Sequence, residues 1–260
     1  MNVVTSANHD FAHCLRGLVA SVHAHYGRGP IVYDVGLTEP DRAGLDAEFV
    51  AIDPGAGAFD YAGEGDSRFI CTTHKPACIA DYWRRHDEPM LFVDADCLFR
   101  RRVEPEGEFD LGVTVRSGKG FDADDPWNGV INAGVLIFKN PARPLLDAWA
   151  AGCRQQNVTD QKVLVDLLGE AIDWPNSYDR TFNWRGVTVK VFAADALNDY
   201  HLRDGAIWHF KGLRHEPEIY RALLAAAEEG RDVYRLFRRM RRRRRSWWQR
   251  LLGRGYDEQA

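Results

Sequence analysis

The sequence contains few cysteines, and their spacing lacks the C-x-x-C pattern. There are five among 260 residues, an odd number. A disulfide framework or a structural zinc site uses cysteines in pairs, so the pattern argues against both. We expect reduced and mostly buried thiols, as in a cytosolic protein. The cysteines are Cys14, Cys71, Cys78, Cys97 and Cys153.

The sequence also lacks a long apolar run. No stretch approaches the roughly 20 apolar residues that a membrane-spanning helix needs. The first residues, MNVVTSANHDF, have neither the basic segment nor the apolar run of a signal peptide. With 45% hydrophobic and 12% aromatic residues, the chain can form a sizeable core. We therefore expect a cytoplasmic protein with one large domain, alone or followed by a tail.

Basic residues are scarce in most of the chain and concentrated near its end. Residues 1–230 hold 23 basic and 35 acidic residues, a net charge of −12. Residues 231–254 hold 11 Arg against one acid, a net charge of +10. Such asymmetry suggests a polyanionic partner. We predict a domain at 1–230 and a basic tail at 231–260.

The domain alternates apolar strands with amphipathic helices. This alternation predicts an α/β fold with a mainly parallel sheet and flanking helices. Such sheets bind ligands at the carboxyl ends of their strands. Strands are predicted from 3–4 and at 31–37, 90–93, 109–116, 130–138 and 206–210, and helices at 11–26, from 76, and at 142–155, 159–169 and 217–229.

A pair of aspartates follows one strand directly, in MLFVDADCLF at 90–99. In an extended chain Asp94 and Asp96 point the same way, and two carboxylates held close together repel. A hard divalent cation such as Mg²⁺ or Mn²⁺ removes this repulsion, because it prefers oxygen ligands. The alternative is that one aspartate caps a turn while the other is solvated.

A second motif lies inside a predicted strand, in VINAGVLIFKN at 130–140. Asn132, Ala133 and Gly134 are polar or small residues within an otherwise apolar run. Such residues weaken a strand unless a ligand or another backbone comes close. The motif therefore indicates a close approach at this point of the sheet.

Two more motifs follow further along the chain. NVTDQKVL begins a helix with Asp160 and Gln161 in its first turn, where they face the end of the sheet. Capping of the helix by Thr159 or Asp160 is a compatible alternative. WHFKGLRHEP ends a strand with His209, which is either a structural residue or a ligand for a cation of the Mn²⁺ type.

The order of these motifs resembles that of the family 8 retaining glycosyltransferases. FVDADCLF, NAGVLIF, TDQ and HFKG follow an N-terminal strand and polar loop with the family's rough spacing, over about residues 1–217. The family has the GT-A fold, a Rossmann-like α/β fold, and includes lipooligosaccharide galactosyltransferases and glycogenin. The stretch VYDVGL is also similar to less characterised glycosyltransferase-like proteins, so a divergent branch is an alternative.

The resemblance implies a metal-dependent hexosyltransferase with a UDP-sugar donor. Asp94, Asp96 and His209 match ligands of Mn²⁺ (or Mg²⁺), with the donor diphosphate at the remaining positions. Asp160 and Gln161 match the polar pair beside the anomeric carbon and are the candidate catalytic residues. The candidate donor-binding residues are Ala7, Asn8, Asp10, Lys75, Asn132, Ala133, Gly134, Lys211, Gly212 and Arg214.

The closing motif departs from the family pattern H-F-x-G-x-x-K-P, whose lysine reaches the diphosphate. His215 and Glu216 stand at the Lys-Pro positions, and Lys211 or Arg214 is the alternative source of positive charge. Retention rests on the resemblance alone. A retaining glycosidase uses a carboxylate as its nucleophile. The residue at the matching position here is Gln161, whose side-chain amide is a poor nucleophile. Front-face attack within an ion pair and an unidentified nucleophile both stay open.

The tail combines basic and aromatic residues. On a helix, its apolar residues share one face, most arginines lie outside that face, and Arg244 interrupts it. This pattern is typical of a helix in an anionic membrane interface. We predict that residues 234–254 associate peripherally with a membrane. We also predict a glycolipid or polysaccharide acceptor and no nucleic-acid partner. The alternatives for the tail are a solvated basic segment and a nucleic-acid-binding arm. The apolar residues are Val233, Leu236, Phe237, Met240, Trp247, Trp248 and Leu251.

Two other functions fit parts of the pattern. Haloacid-dehalogenase-type phosphatases also place D-x-D after an apolar strand. Their motif lies near the N-terminus with Thr or Val two residues after the second aspartate, where this chain has Leu98. A non-catalytic sugar-nucleotide or membrane-binding module fits the altered closing motif. Donor binding without sugar release would favour that module.

Overall fold

The structure is a computed structural model, and it describes residues 1–52, 74–116, 129–155, 159–211, 213 and 216–240. Three residues of the closing motif, Gly212, Arg214 and His215, lie outside the described residues, as does the tail from 241 onward. The cysteines within the described residues form no disulfide and are buried, as predicted. They are Cys14, Cys78, Cys97 and Cys153.

The described residues form ten strands in two sheets. They are β1 (Asn2–Ala7), β2 (Ile31–Asp34), β3 (Glu48–Ala51), β4 (Met90–Val93), β5 (Cys97–Phe99), β6 (Leu111–Val115), β7 (Ile131–Phe138), β8 (Thr181–Trp184), β9 (Val187–Ala193) and β10 (Ile207–His209). The larger sheet has the order β3-β2-β1-β4-β7-β6-β9-β8. Only β7 and β8 run against the direction of the other six strands of this sheet. The predicted α/β fold with a mainly parallel sheet is confirmed.

Helices cover both faces of the larger sheet. They are α1 (Ala12–Tyr26), α2 (Glu39–Arg42), α3 (Lys75–Arg85), α4 (Arg143–Gln155), α5 (Asp160–Gly169), α6 (Ala194–Leu197), α7 (Pro217–Glu228) and α8 (233–240). The helices α3, α4 and α5 share one apolar core with the sheet. The other face packs against α1, whose residues Leu15, Leu18, Val19 and Val22 are buried at helical spacing.

The smaller sheet positions one predicted metal ligand. Its strands β5 and β10 are antiparallel, and His209 pairs directly with Cys97. The amide of Phe210 donates to the carbonyl of Asp96 over 2.9 Å. This pairing brings the chain near residue 209 beside the aspartate pair, although more than a hundred residues separate them in sequence.

A bulge interrupts the larger sheet at the Asn-Ala-Gly motif. On β6 and β7, Val113 pairs with Leu136 and Val115 with Ile131. Four residues of β7, 132–135, therefore lie opposite the single residue Thr114 of β6. Because a bulge disrupts the ladder of backbone hydrogen bonds, the backbone groups of the motif need other partners.

The first part of the predicted tail belongs to the folded body. Residues 233–240 are helical, and Val233 and Phe237 are buried in a cluster with Tyr220 and Leu223 of α7. Residues 241–254, which carry the rest of the predicted interfacial face, lie outside the described residues. Within the described part of the chain, no helix is long and apolar enough to cross a membrane.

Candidate functional site

The three predicted metal ligands lie together at the carboxyl end of β4. Nε2 of His209 is 3.2 Å from Oδ1 of Asp96 and 3.7 Å from Oδ2 of Asp94. Asp96 and His209 are buried, while the side chain of Asp94 is 27% exposed. The i, i+2 spacing of the two aspartates predicted that they lie close together. The pairing of β5 with β10 brings the imidazole of His209 beside them.

The chemistry of these side chains fits a hard divalent cation. Burial raises the pKa of the Asp96 carboxyl, but the imidazole of His209 and the charge of Lys75 outweigh it and hold this pKa below its ordinary value. Asp96 is therefore a buried carboxylate. The thiol of Cys97 also lies within 4.8 Å of the ligand atoms of Asp96 and His209. Burial and the two aspartates raise the pKa of this thiol. Because thiolates are soft ligands, the carboxylates and the imidazole are the groups here that suit Mg²⁺ or Mn²⁺.

Gly134 makes room for this arrangement. A Cβ at this position would overlap Cε1 of His209, and it would lie 2.6 Å from Nδ1 of the same ring and 3.0 Å from Oδ2 of Asp94. Real Cβ atoms do not approach other heavy atoms so closely in packed interiors. The glycine of the motif is therefore needed because the imidazole and the carboxylate press against the backbone of β7.

Lys75 is the basic residue nearest to the aspartate pair in the described part of the site. Its Nζ lies 2.8 Å from Oδ1 of Asp94, 3.0 Å from the carbonyl of Ala133 and 3.6 Å from Oδ2 of Asp160. The side chain is almost fully buried. Burial alone lowers the pKa of the ammonium, but Asp160 and Asp94 more than offset this and raise the pKa above its ordinary value. Lys75 is therefore charged, and its ammonium connects a candidate metal ligand, Asp94, to a candidate catalytic residue, Asp160.

Asp160 and Gln161 occupy the first turn of α5 beside the bulge. Burial, reinforced by Asp94, raises the pKa of Asp160 to about 6, while Lys75 opposes the shift. Oε1 of Gln161 accepts a hydrogen bond from the amide of Ala133 over 3.1 Å. The hydroxyl of Thr159 caps the helix by accepting from the amide of Lys162. The predicted capping is thus confirmed for Thr159. Asp160 and Gln161, which follow it, lie beside Lys75 and the bulge of β7.

Several buried polar atoms at the carboxyl edge of the described sheet have no hydrogen-bond partner. Among them are Oδ1 of Asn8, Nδ2 of Asn132 and Oδ2 of Asp160, the last of which lies in an ion pair 3.6 Å from Nζ of Lys75, beyond hydrogen-bonding distance. Buried polar groups are normally satisfied, so atoms of this kind mark a place where a polar ligand or water binds. Asn8 follows β1, which is the parallel neighbour of β4, and both strands end at the same edge.

The remaining candidates differ in how the structure places them. Ala7 is buried at the end of β1, and Asp10 lies in the short 3-10 turn that follows. Lys211 is exposed just beyond β10. Gly212 and Arg214 are outside the described residues, so their predicted contacts stay predictions.

Two buried polar residues behind the site carried no signal in the sequence. Asn198 and Thr114 are completely buried and bond to each other and to the carbonyl of Asn132. Neither stands in a motif, and a buried polar side chain becomes apparent only once the fold encloses it.

The fold is shared with glycosyltransferases. Over 87% of this chain and 96% of that chain, the structure is similar to the galactosyltransferase LgtC in complex with donor and acceptor sugar analogs, with 18% identity and a TM-score of 0.56. An active-site mutant of LgtC, with Glu in place of a Gln, matches at 16% identity with the same coverage and TM-score. The chain has the GT-A fold.

A third GT-A neighbour comes from a virus. It is a glycosyltransferase involved in glycosylation of the major capsid of PBCV-1, and it is 12% identical over 85% of this chain and 98% of that chain, with a TM-score of 0.50. No protein-family model matches the sequence, and no curated protein matches it. At these identities the likeness establishes the GT-A fold and leaves the chemistry to be argued from the site.

Proposed function

We propose that this chain is a metal-dependent glycosyltransferase of the family 8 type, which transfers a hexose from a UDP-sugar to a glycan or glycolipid. The observation that carries the proposal is the convergence of Asp94, Asp96 and His209 at the carboxyl edge of a GT-A sheet. Ligands of open α/β sheets bind at this edge. The GT-A fold also disfavours the haloacid-dehalogenase-type alternative.

In this proposal Asp94, Asp96 and His209 hold Mn²⁺ or Mg²⁺ against the diphosphate of the donor. When bound, the cation neutralises the negative charge that develops on the leaving diphosphate. The chain contributes a charged carboxylate at Asp96 in a buried position, where electrostatic interactions are stronger than in water. Lys75 adds a buried positive charge beside Asp94.

The unpartnered polar atoms support a donor pocket beside the cation. Asn8, together with Ala7 and Asp10, is proposed to bind the uridine at the end of β1. Asn132, Ala133 and Gly134 are proposed to contact the donor sugar from the bulge of β7, where Nδ2 of Asn132 has no partner among the described residues. LgtC was crystallised with donor and acceptor sugar analogs, in accord with a donor of this class.

Asp160 and Gln161 are the proposed residues beside the anomeric carbon. The amide of Ala133 donates to Oε1 of Gln161, which orients the side-chain amide of this residue. An LgtC variant with Glu replacing an active-site Gln is consistent with a glutamine in this role. Because an amide is a poor nucleophile, front-face attack within an ion pair and another nucleophile both remain compatible with retention.

The basic tail is proposed to bring the body to an anionic membrane at the cytoplasmic face. The proposed boundary separates the GT-A domain (1–230) from the tail (231–260), with 233–240 packed on the body. Each Arg near an anionic leaflet contributes roughly 1 kcal/mol of attraction. An acceptor attached to the same membrane surface, such as a glycolipid, fits this arrangement.

The test combines donor binding with donor hydrolysis. Nucleotide sugars are screened by thermal shift with and without Mn²⁺, since a ligand that binds only the folded state raises its stability. We expect a UDP-sugar to stabilise the protein only with Mn²⁺ and to be hydrolysed. Asp96→Asn should abolish both effects, whereas Asp87→Asn, an exposed aspartate outside the site, should retain them. Full activity of Asp96→Asn with metal chelated would contradict the proposal, and binding without sugar release would favour the non-catalytic module.

A further inference from the structure

Asn198 connects the proposed metal ligand His209 to the bulge of β7. It follows α6 and is completely buried. Its Oδ1 lies 3.0 Å from Nδ1 of His209. Its Nδ2 lies 3.0 Å from the carbonyl oxygen of Asn132 and 3.1 Å from Oγ1 of Thr114. The side-chain amide thus contacts three partners on three different elements.

The hydrogen bonds of this network have one consistent direction. The carbonyl oxygen of Asn132 can only accept, so it receives hydrogen bonds from Nδ2 of Asn198 and from the hydroxyl of Thr114, 2.8 Å away. The Thr114 hydroxyl donates its single proton to that carbonyl, so its oxygen accepts the second N–H of the Asn198 amide. A flipped amide would place Oδ1 of Asn198 against an acceptor. The oxygen of Asn198 must therefore face His209.

This direction determines the tautomer of His209. Since Oδ1 of Asn198 only accepts, Nδ1 of His209 carries a proton and donates it. In the neutral ring the lone pair then lies on Nε2, the nitrogen that faces Asp96 and Asp94. Metal-binding imidazoles depend on such a partner at the second nitrogen, which sets both the tautomer and the ring orientation.

We propose that Asn198 is a positioning residue that holds His209 in the tautomer and orientation needed to bind the cation through Nε2. The same amide bonds the carbonyl of Asn132, so it also holds the proposed donor-binding bulge in register with the imidazole. The inference rests on the proposed metal-dependent function. It concerns only residues of this chain, and its direct consequence is metal affinity.

The test measures Mn²⁺ binding in the presence of UDP, by the electron paramagnetic resonance signal of free Mn²⁺ and by calorimetry. Asn198→Leu removes the acceptor for Nδ1 of His209, and we expect Mn²⁺ affinity to fall by about 10- to 100-fold. Thr114→Val is the matched control. It removes the hydroxyl that donates to the carbonyl of Asn132 and accepts from Nδ2 of Asn198. It leaves Oδ1 of Asn198 as the partner of His209, and we expect its affinity to stay within about threefold of wild type.

A second variant keeps the inference testable if Asn198→Leu does not fold. Asn198→Asp retains an acceptor for Nδ1 of His209 but loses both N–H donors. We expect it to unfold at a lower temperature while Mn²⁺ affinity stays within about threefold of wild type. If Asn198 had a purely structural role, Mn²⁺ affinity would instead fall in proportion to the unfolding temperature across Asn198→Leu, Asn198→Asp and Thr114→Val.

Four outcomes would overturn the inference. In the first, Asn198→Leu and Thr114→Val change Mn²⁺ affinity by the same factor. In the second, Asn198→Asp loses tenfold or more of its affinity, on the scale of a broken ligand support. In the third, wild-type protein binds no Mn²⁺ with UDP, and the proposed function fails as well. Wild-type binding with unchanged affinity in Asn198→Leu refutes only the role of Asn198.

Discussion

The ammonium of Lys75 forms a buried ion pair with Asp94, 2.8 Å from its Oδ1. A positive charge supplied by α3 thus contacts one of the carboxylates proposed to hold the metal. The same ammonium lies 3.6 Å from Asp160, so two acidic residues depend on it. If Asp94 binds the cation as proposed, metal binding and the stability of the body are linked at this residue.

Replacing this lysine should destabilise the body more without metal than with it. Removing one partner of a buried ion pair costs about 3–5 kcal/mol, and the lower end applies to Lys75→Met because Asp94 is partly exposed. Saturating Mn²⁺ should restore part of the loss, since a cation then compensates Asp94. Urea unfolding with Mn²⁺ and with a chelator measures this. Lys190→Met serves as the control, because the Lys190 ammonium donates to the backbone carbonyl of Glu106 outside the site. An equal loss with and without Mn²⁺ in Lys75→Met would refute the linkage.

Adding a methyl group at Gly134 should weaken metal binding. The Cβ of Gly134→Ala would overlap the ring of His209, so the imidazole has to move. We expect Mn²⁺ affinity to fall by about tenfold or more, as for other disturbed ligand supports. Gly169→Ala is the control, because its Cβ would meet Nε1 of Trp174 at an ordinary 3.4 Å. Calorimetry of both variants checks this, and unchanged affinity in Gly134→Ala would show that the ring is not held against β7.

A pH-dependent contribution to stability is expected at Asp81, which lies on α3. Burial raises the pKa of this carboxyl, but hydrogen bonds from Arg85 and Tyr33 outweigh it and hold the pKa below its ordinary value. A lowered pKa in the folded state stabilises the protein above the unfolded pKa of about 4, and the effect is lost as the pH falls through the folded pKa.

The variant Asp81→Asn should therefore be less stable than wild type at pH 7, by about 1 kcal/mol because the arginine is half-exposed. The difference should shrink as the pH falls below about 4. Thermal unfolding from pH 7 to pH 3 measures both values. A difference that stays constant over this range would mean that the carboxylate charge contributes nothing.

Truncation should separate membrane binding from folding at residue 240. Deleting 241–260 removes seven arginines and both tail tryptophans. We expect loss of sedimentation with anionic vesicles, an unchanged unfolding temperature and retained donor hydrolysis. Deleting 231–260 should also destabilise the body, because Val233 and Phe237 are buried against α7. Wild-type sedimentation of the shorter deletion would contradict the interfacial role of 241–254.

Most strands and helices were predictable because their patterns are local. β4 is an uninterrupted apolar run, and α1 repeats its apolar residues at helical spacing. Four strands were missed. β3 begins with Glu48 and has one buried residue, so it lacks the apolar run that marks β4. β5 consists of three residues that follow the aspartate pair closely, and they were not separated from that motif. In β8 and β9, apolar residues alternate with polar ones such as Thr188 and Lys190, so the period-two signal of a strand with one solvated face was present and was overlooked.

The candidate site divides in the same way. Asp94 and Asp96 were found from their spacing, and Asn132 and Gly134 from their unusual place inside a strand. Asn198 and Thr114 were missed because their importance depends on which acceptors surround them, and those acceptors come from distant segments. The bulge that joins these residues appears only as a change of pairing register between β6 and β7.

The sequence by itself determined the α/β alternation, the two adjacent carboxylates and the charge of the tail, because each follows from residues near one another along the chain. Tertiary structure alone decided that His209 faces Asp96, that Lys75 neutralises Asp94 and that Asn198 orients the imidazole. These relationships depend on strand pairing and helix packing between distant segments. Such contacts form when the apolar faces are buried together, and no local periodicity encodes them.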